Sequence, residues 1–178
     1  EEGSYKDGKM IGLWKSLHEN SQLKEDGNYK NGEKDELWKL YNAEGVLISE
    51  TKYVDGKKEG VLNRYYDNGK LKCTDNYVNG EISGISKEYT SEGVLIKETE
   101  YKESKEDGIT KEYHDNGQIK KESVMKNGKL VKQSGWNEDG SEIKYVKRIK
   151  CYDFYDNPSR YLGDIIRMEA RYYDNWNT

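Results

Sequence analysis

Apolar residues return along this chain at a spacing of 24, with polar residues filling the places between. Tyr5, Tyr29, Tyr53, Tyr77 and Tyr101 share one column, with Met125 sixth. Leu23, Leu47, Leu71, Leu95, Ile119 and Ile143 form a second, Leu13, Leu37, Val61, Ile85 and Ile109 a third, and Leu17, Tyr41, Tyr65, Tyr89 and Tyr113 a fourth. From Tyr5 to Gly128 the columns run with no insertion or deletion. A fixed internal period of this length is the signature of a repeat array, in which each unit buries its apolar face only against its neighbours.

Two alternating sets of turn signals cut each period in half. One set is Asp7-Gly8, Asn31-Gly32, Asp55-Gly56, Asn79-Gly80 and Asn127-Gly128; the other is Glu44-Gly45, Asn68-Gly69, Glu92-Gly93 and Asn116-Gly117. Asn-Gly and Asp-Gly accept positive φ and favour tight hairpin turns. The turn glycines alternate at 13 and 11 residues, which leaves room for strands of about 6–9 residues. Two helices per unit do not fit between such turns, and the Tyr, Val, Ile and Thr content favours strands. The pattern predicts an all-β protein: one elongated antiparallel meander of about 12–14 strands, some 60 Å long at ~4.8 Å per strand. Six hairpin repeats span 1–143, and a divergent C-terminal cap spans 144–178. In the cap, Ile166, Met168, Ala170 and Tyr172 alternate with charged residues as in a strand, whereas Leu162, Ile165, Ile166 and Tyr173 fit a helix; the hairpin reading is favoured.

Within a repeat, Val61 and Tyr65 fall on one face of their strand, and Leu71 and Tyr77 are expected to share a face of the next. Gly12, Gly60, Gly84 and Gly108 form a further column that Glu36 breaks. This implies that positive φ is not required there in every repeat. Trp14 and Trp38, followed by Leu62, Ser86 and Thr110, lie opposite the Val61 face, with Leu40 beside Trp38. An exposed Trp/Leu cluster marks a contact patch, so Trp14, Trp38, Leu40 and Leu62 are the candidate partner-binding residues. The alternative is that this face closes on itself within the chain through sheet twist.

Composition changes the picture in one respect. With 36% charged and 33% hydrophobic residues, the chain is poor in core formers, a balance that elsewhere means disorder. Here the strict period and 16 tyrosines argue for order. The formal net charge of −4 gives no basic face for nucleic acid and disfavours an anionic membrane surface. No apolar run approaches the ~18 residues of a membrane span. No leader is evident ahead of Glu1, which fits a trimmed chain or a processed export product equally well. A secreted or cell-envelope location and a cytoplasmic one therefore stay equally open.

The search for chemistry returns little. His18 and His114 share a column four repeats apart, roughly 40 Å at ~4.8 Å per strand, too far to form a dyad or share a metal. Cys73 and Cys151 lie roughly 30 Å apart by the same count, beyond disulfide reach. Asp26, Glu50, Glu98 and Glu122 repeat one per hairpin in equal surroundings, as surface charges paired with lysines do. No catalytic triad, phosphate loop or ligand cluster is present. The expectation is a non-enzyme without cofactor or metal.

The skeleton Tyr53-x-x-Gly56-x-x-x-Gly60-x-x-x-x-Tyr65-x-x-x-Gly69-x-Leu71 resembles the MORN repeat in its bacterial variant. The resemblance covers about Tyr5 to Ile143 and implies β-hairpins in an elongated twisted sheet. It also implies a role in binding. Bacterial members are often described as YwqK-type antitoxins paired with a secreted toxin, and eukaryotic ones are associated with membranes and scaffolds. The expected function is binding of a macromolecular partner, a protein above all, with edge-to-edge self-association at the open sheet ends as a further expectation. The alternatives are a membrane-surface scaffold and a structural segment of a larger secreted or surface protein.

Overall fold

The structure is a computed structural model that describes residues 1–143. Both readings of 160–173, strand or helix, and Cys151 lie outside the described residues. Residues 1–143 form one antiparallel meander of thirteen strands. The strands are β1 (Glu2–Lys6), β2 (Lys9–Leu17), β3 (Leu23–Lys30), β4 (Glu33–Tyr41), β5 (Leu47–Val54), β6 (Lys57–Tyr65) and β7 (Leu71–Val78). They continue as β8 (Glu81–Ile82), β9 (Gly84–Tyr89), β10 (Leu95–Lys102), β11 (Lys105–Tyr113), β12 (Ile119–Lys126) and β13 (Lys129–Gly135). Each strand pairs with the next in sequence, except that β7 pairs with both the short β8 and β9. The sheet does not close: β1 and β13 stand at its two ends.

The turns carry the chemistry the dipeptides imply. Both central residues have positive φ in Asp7-Gly8, Asn31-Gly32, Asp55-Gly56, Asn79-Gly80 and Asn127-Gly128, as a two-residue type I′ turn requires. Glu103-Ser104 adopts the same geometry without glycine, at φ 49° and 61°. The strain is therefore accepted rather than the turn changed.

Two irregularities recur in every repeat. Ser16 pairs with Glu25 but Leu17 with Leu23, so one extra residue bulges on β3, and Arg64–Cys73 followed by Tyr65–Leu71 repeats the slip on β7. This bulge overturns one expectation. Leu71 pairs with Tyr65 on one face, whereas Tyr77 pairs with Gly60 on the other. An odd number of inserted residues flips every side chain beyond it. The second irregularity lies at the glycine column. Thr51 pairs with Leu62 but Lys52 with Glu59, which leaves Gly60 and Val61 outside the β5 ladder. Gly12, Gly60, Gly84 and Gly108 take φ of 68°, 78°, 96° and 130°, and Glu36 takes 60° in the same column. The positive φ is thus kept in every repeat, contrary to the expectation from Glu36. A left-handed non-glycine residue costs about 1–2 kcal/mol, and the exposed Asn28–Glu36 hydrogen bond offsets little of that. Glu36→Gly should raise stability by about 1 kcal/mol, read as a higher urea midpoint at unchanged slope.

Bulges bend strands and add twist. Here they let a single layer of sheet bury side chains on one of its faces. The buried hydrophobic residues among the described residues are Trp14, Trp38 and Leu62, at 8, 5 and 6% exposure. They share what is called here the inner face, and the Leu13 column shares the outer face.

Candidate functional site

The centre of the inner face is one row that crosses the sheet. Register links Trp14 with Gly27, Trp38 with Thr51, Leu62 with Thr51 and Asp75, Thr99 with Ser86 and Thr110, and Thr110 with Ser123. Every one of these residues is buried. In the first half, large residues alternate with glycines. A Cβ on Gly3 would lie 2.2 Å from the Trp14 ring, and one on Gly27 would lie 2.3 Å from the Trp38 ring. The rings therefore lie flat over bare backbone.

The tyrosine column closes this half from the side. Tyr5, Trp14, Tyr29, Trp38 and Tyr53 form an unbroken edge-to-face ladder with centroids 5.2, 5.6, 5.0 and 6.5 Å apart. Lys34 Nζ sits 3.7 Å from the Trp38 ring centroid and 3.1 Å from Glu25. The Trp38 indole N–H donates to the Asn28 carbonyl at 3.0 Å.

This geometry decides between the two readings of the Trp face. The structure brings Trp14, Trp38, Leu40 and Leu62 together on one face, with Leu40 half-buried. It does not expose the tryptophans and Leu62 as a patch, because the bulged sheet and the flanking tyrosines cover them. They are the apolar interior of the sheet.

Past Leu62 the same row turns polar. Asp75 is buried and paired with Arg64, and Ser86, Thr99, Thr110 and Ser123 follow at 3–7% exposure. Beside them runs an alternating rail, Glu88, Lys97, Glu112 and Lys121, whose neighbours pair in register.

The outer face carries the apolar surface that the sequence reading placed elsewhere. Leu13, Leu37, Val61, Ile85 and Ile109 are exposed at 56, 48, 48, 44 and 39%. They recur on every second strand, about 9.6 Å apart at ~4.8 Å per strand. Next to them the column Lys15, Asp26, Lys39, Glu50 alternates in charge across the strands and continues in the neutral Asn63. Tyr65 donates to Glu50 at 2.6 Å and Tyr113 to Glu98 at 2.7 Å, with Lys87 3.0 Å from Glu98. The Tyr65 and Tyr113 bonds hold the Glu50 and Glu98 carboxyls below the ordinary carboxylate range. Burial, reinforced by those carboxylates, pushes both phenols up to about 12. The stabilisation from these pairs is present above the unfolded carboxylate pKa and is lost as pH falls through the lower folded value. At the alkaline end it is full below the ordinary tyrosine pKa, falls as pH rises past that value and is gone above about 12. A spectrophotometric phenol titration of Tyr65→Phe/Tyr113→Phe should lack the two latest-ionising tyrosines.

The histidines are structural joints. Each ring Nε2 bonds the backbone carbonyl one hairpin on, His18 to Tyr41 at 2.9 Å and His114 to Trp136 at 2.8 Å. The Tyr66 hydroxyl makes the same link to Tyr89 at 2.7 Å. Among the described residues no group of three or more His, Cys, Asp or Glu is placed to hold a metal ion.

A family model described as "MORN repeat variant" matches residues 10–31, 58–79, 82–103 and 106–127. The chain belongs to the MORN repeat variant family. The matched units open in β2, β6, β8 and β11, and each ends on the first central residue of a type I′ turn, at Asn31, Asn79, Glu103 and Asn127. The unmatched stretch between the first two matches, 32–57, has Glu36 at the glycine position, yet it keeps the strand pairing and the positive φ. No curated protein matches the chain. Solved structures similar to it include S. aureus TarM G117R in complex with fondaparinux, alpha-GlcNAc-glycerol and UDP. That likeness has 15% identity over 54% of this chain and 19% of that one, with a TM-score of 0.38. A second TarM structure is 17% identical over 56% of this chain and 20% of that one, also at a TM-score of 0.38. The chain thus spans about a fifth of the length of these proteins.

Proposed function

We propose that this MORN repeat array is a non-enzymatic module that binds another protein through the outer face of its sheet. The observation that carries this reading is the row of exposed aliphatic side chains, Leu13, Leu37, Val61, Ile85 and Ile109, set at the repeat spacing along the sheet. Scattered single apolar residues on a surface mean little, but five aliphatic side chains in line at one spacing, separated by polar residues such as Asn28, Lys52 and Asn76, present a regular set of anchor points for a partner. Residues that the interior of the sheet does not need are free to be selected for a partner. The antitoxin-like role that the bacterial variant implies is the sharpest form of this reading, with the toxin as the bound protein.

The test is affinity capture with the intact chain, identification of the captured protein and titration of the two purified partners. Leu37→Ser/Val61→Ser alters two half-exposed side chains and should leave the circular dichroism spectrum unchanged. It should weaken binding at least tenfold, as loss of central interface contacts does. Unchanged affinity in this variant would remove the outer face as the site.

A further inference from the structure

The two halves of the inner row differ in kind, and a weak seam lies between them. Among the described residues all four aromatic contacts fall between Tyr5 and Tyr53, and the buried hydrophobic residues end at Leu62. Beyond Asp75 the row consists of hydroxyl side chains. Hydroxyl side chains bury less apolar surface than the indoles and Leu62 of the first half, so this half of the row gains less from burial. The seam is the junction of β7 with β8 and β9. Its ladder is split into Tyr77–Ile82 and Val78–Glu81 on one side and Cys73–Glu88 and Thr74–Lys87 on the other; the gap from Ser83 to Ser86 is spanned by the Ser83 N–H to the Asn76 carbonyl at 2.8 Å and the Asn76 amide to the Ile85 carbonyl at 3.0 Å. Elsewhere β5 and β6 share six paired positions.

We propose that the sheet is a two-part spring: β9–β13 opens and recloses as a unit about Ser83–Gly84 while β1–β7 stays folded. In a repeat array stability is a sum of unit terms and nearest-neighbour terms, so an array with one strong and one weak half opens at the weak half. The break falls where the row passes from apolar to hydroxyl side chains, at the interior junction with the fewest paired positions, β7 with β8 and β9. Opening bares the edge of β7, a strand otherwise paired on both sides, and offers it to another strand. The reading is independent of the outer-face proposal, since it concerns the inner row and the seam alone.

Native-state hydrogen exchange on the full chain tests it with an internal control. Strands β3 and β11 both stand two places in from an end of the sheet, so fraying alone would treat them alike. Amides of β11, such as Thr110, should exchange at least tenfold faster than those of β3 and β4, with the step between β7 and β9. Thr99→Gly/Thr110→Trp moves the Gly27/Trp38 pair into the fifth repeat and should slow exchange across β10–β12 at least tenfold. Equal protection in β3 and β11, or a step that this transplant leaves unchanged, would overturn the proposal. Loss of partner binding in the Leu37→Ser/Val61→Ser variant has no bearing on either result.

Discussion

Trp38→Ala should destabilise the sheet by about 3–5 kcal/mol, the range for deleting a large buried aromatic side chain. The ring is 5% exposed, lies between Tyr29 and Tyr53, carries Lys34 on its face and donates a hydrogen bond to Asn28. Among the described residues the sheet has no second layer that can collapse into the space left behind. The cavity becomes a solvated notch that separates Tyr53 from the rest of the ladder. Trp14→Ala should cost less, because its outer neighbour Tyr5 is already 65% exposed and the ladder ends there. Urea unfolding followed by circular dichroism measures both. A loss at Trp38 no larger than that at Trp14 would contradict this account of the interior.

Gly27→Thr should cost about 3 kcal/mol from the other side of the same contact, since overpacking displaces the ring and forfeits its burial. The new Cβ would lie 2.3 Å from the Trp38 ring, so the indole has to leave its place over the backbone. The third repeat shows the remedy. There Thr51 stands in the Gly27 column and Leu62 in the Trp38 column, and both are buried. Gly27→Thr/Trp38→Leu rebuilds that pair and should recover most of the loss. The double-mutant cycle should then show a coupling of about 2 kcal/mol. Simply additive losses would mean that the glycine serves the strand and not the ring.

The fold was legible because its determinants are local. Turn dipeptides, strand lengths and period all lie within 24 residues, and each points to a meander. Even where the letters fail, at Glu36 and at Glu103-Ser104, the neighbouring units impose the backbone shape. Which face is the interior was not legible from alternation. Period 2 says that Trp38 and Leu37 face opposite ways, but it does not say which way is in. Two bulges per repeat decide that, and the one after Arg64 also parts Leu71 from Tyr77. The one signal that points inward is small. Gly3 and Gly27 stand one period apart and eleven residues ahead of Trp14 and Trp38. A glycine kept in a strand opposite a tryptophan marks a ring that needs the space. The exposed aliphatic column was read correctly as periodic, but its exposure depends on the curvature of the sheet, which no residue type announces.

The meander also sets how fast such a chain can find its shape. Each strand pairs only with near neighbours in sequence, and a side-chain bond between hairpins such as Asn42 to Asp67 spans 25 residues. Large β-proteins are usually slow because distant segments must meet before any contact rewards them. Here the search is over once one turn closes and docks on the turn before it. A longer array of the same kind would take no longer per unit. Duplication of a unit therefore adds surface without adding a kinetic barrier.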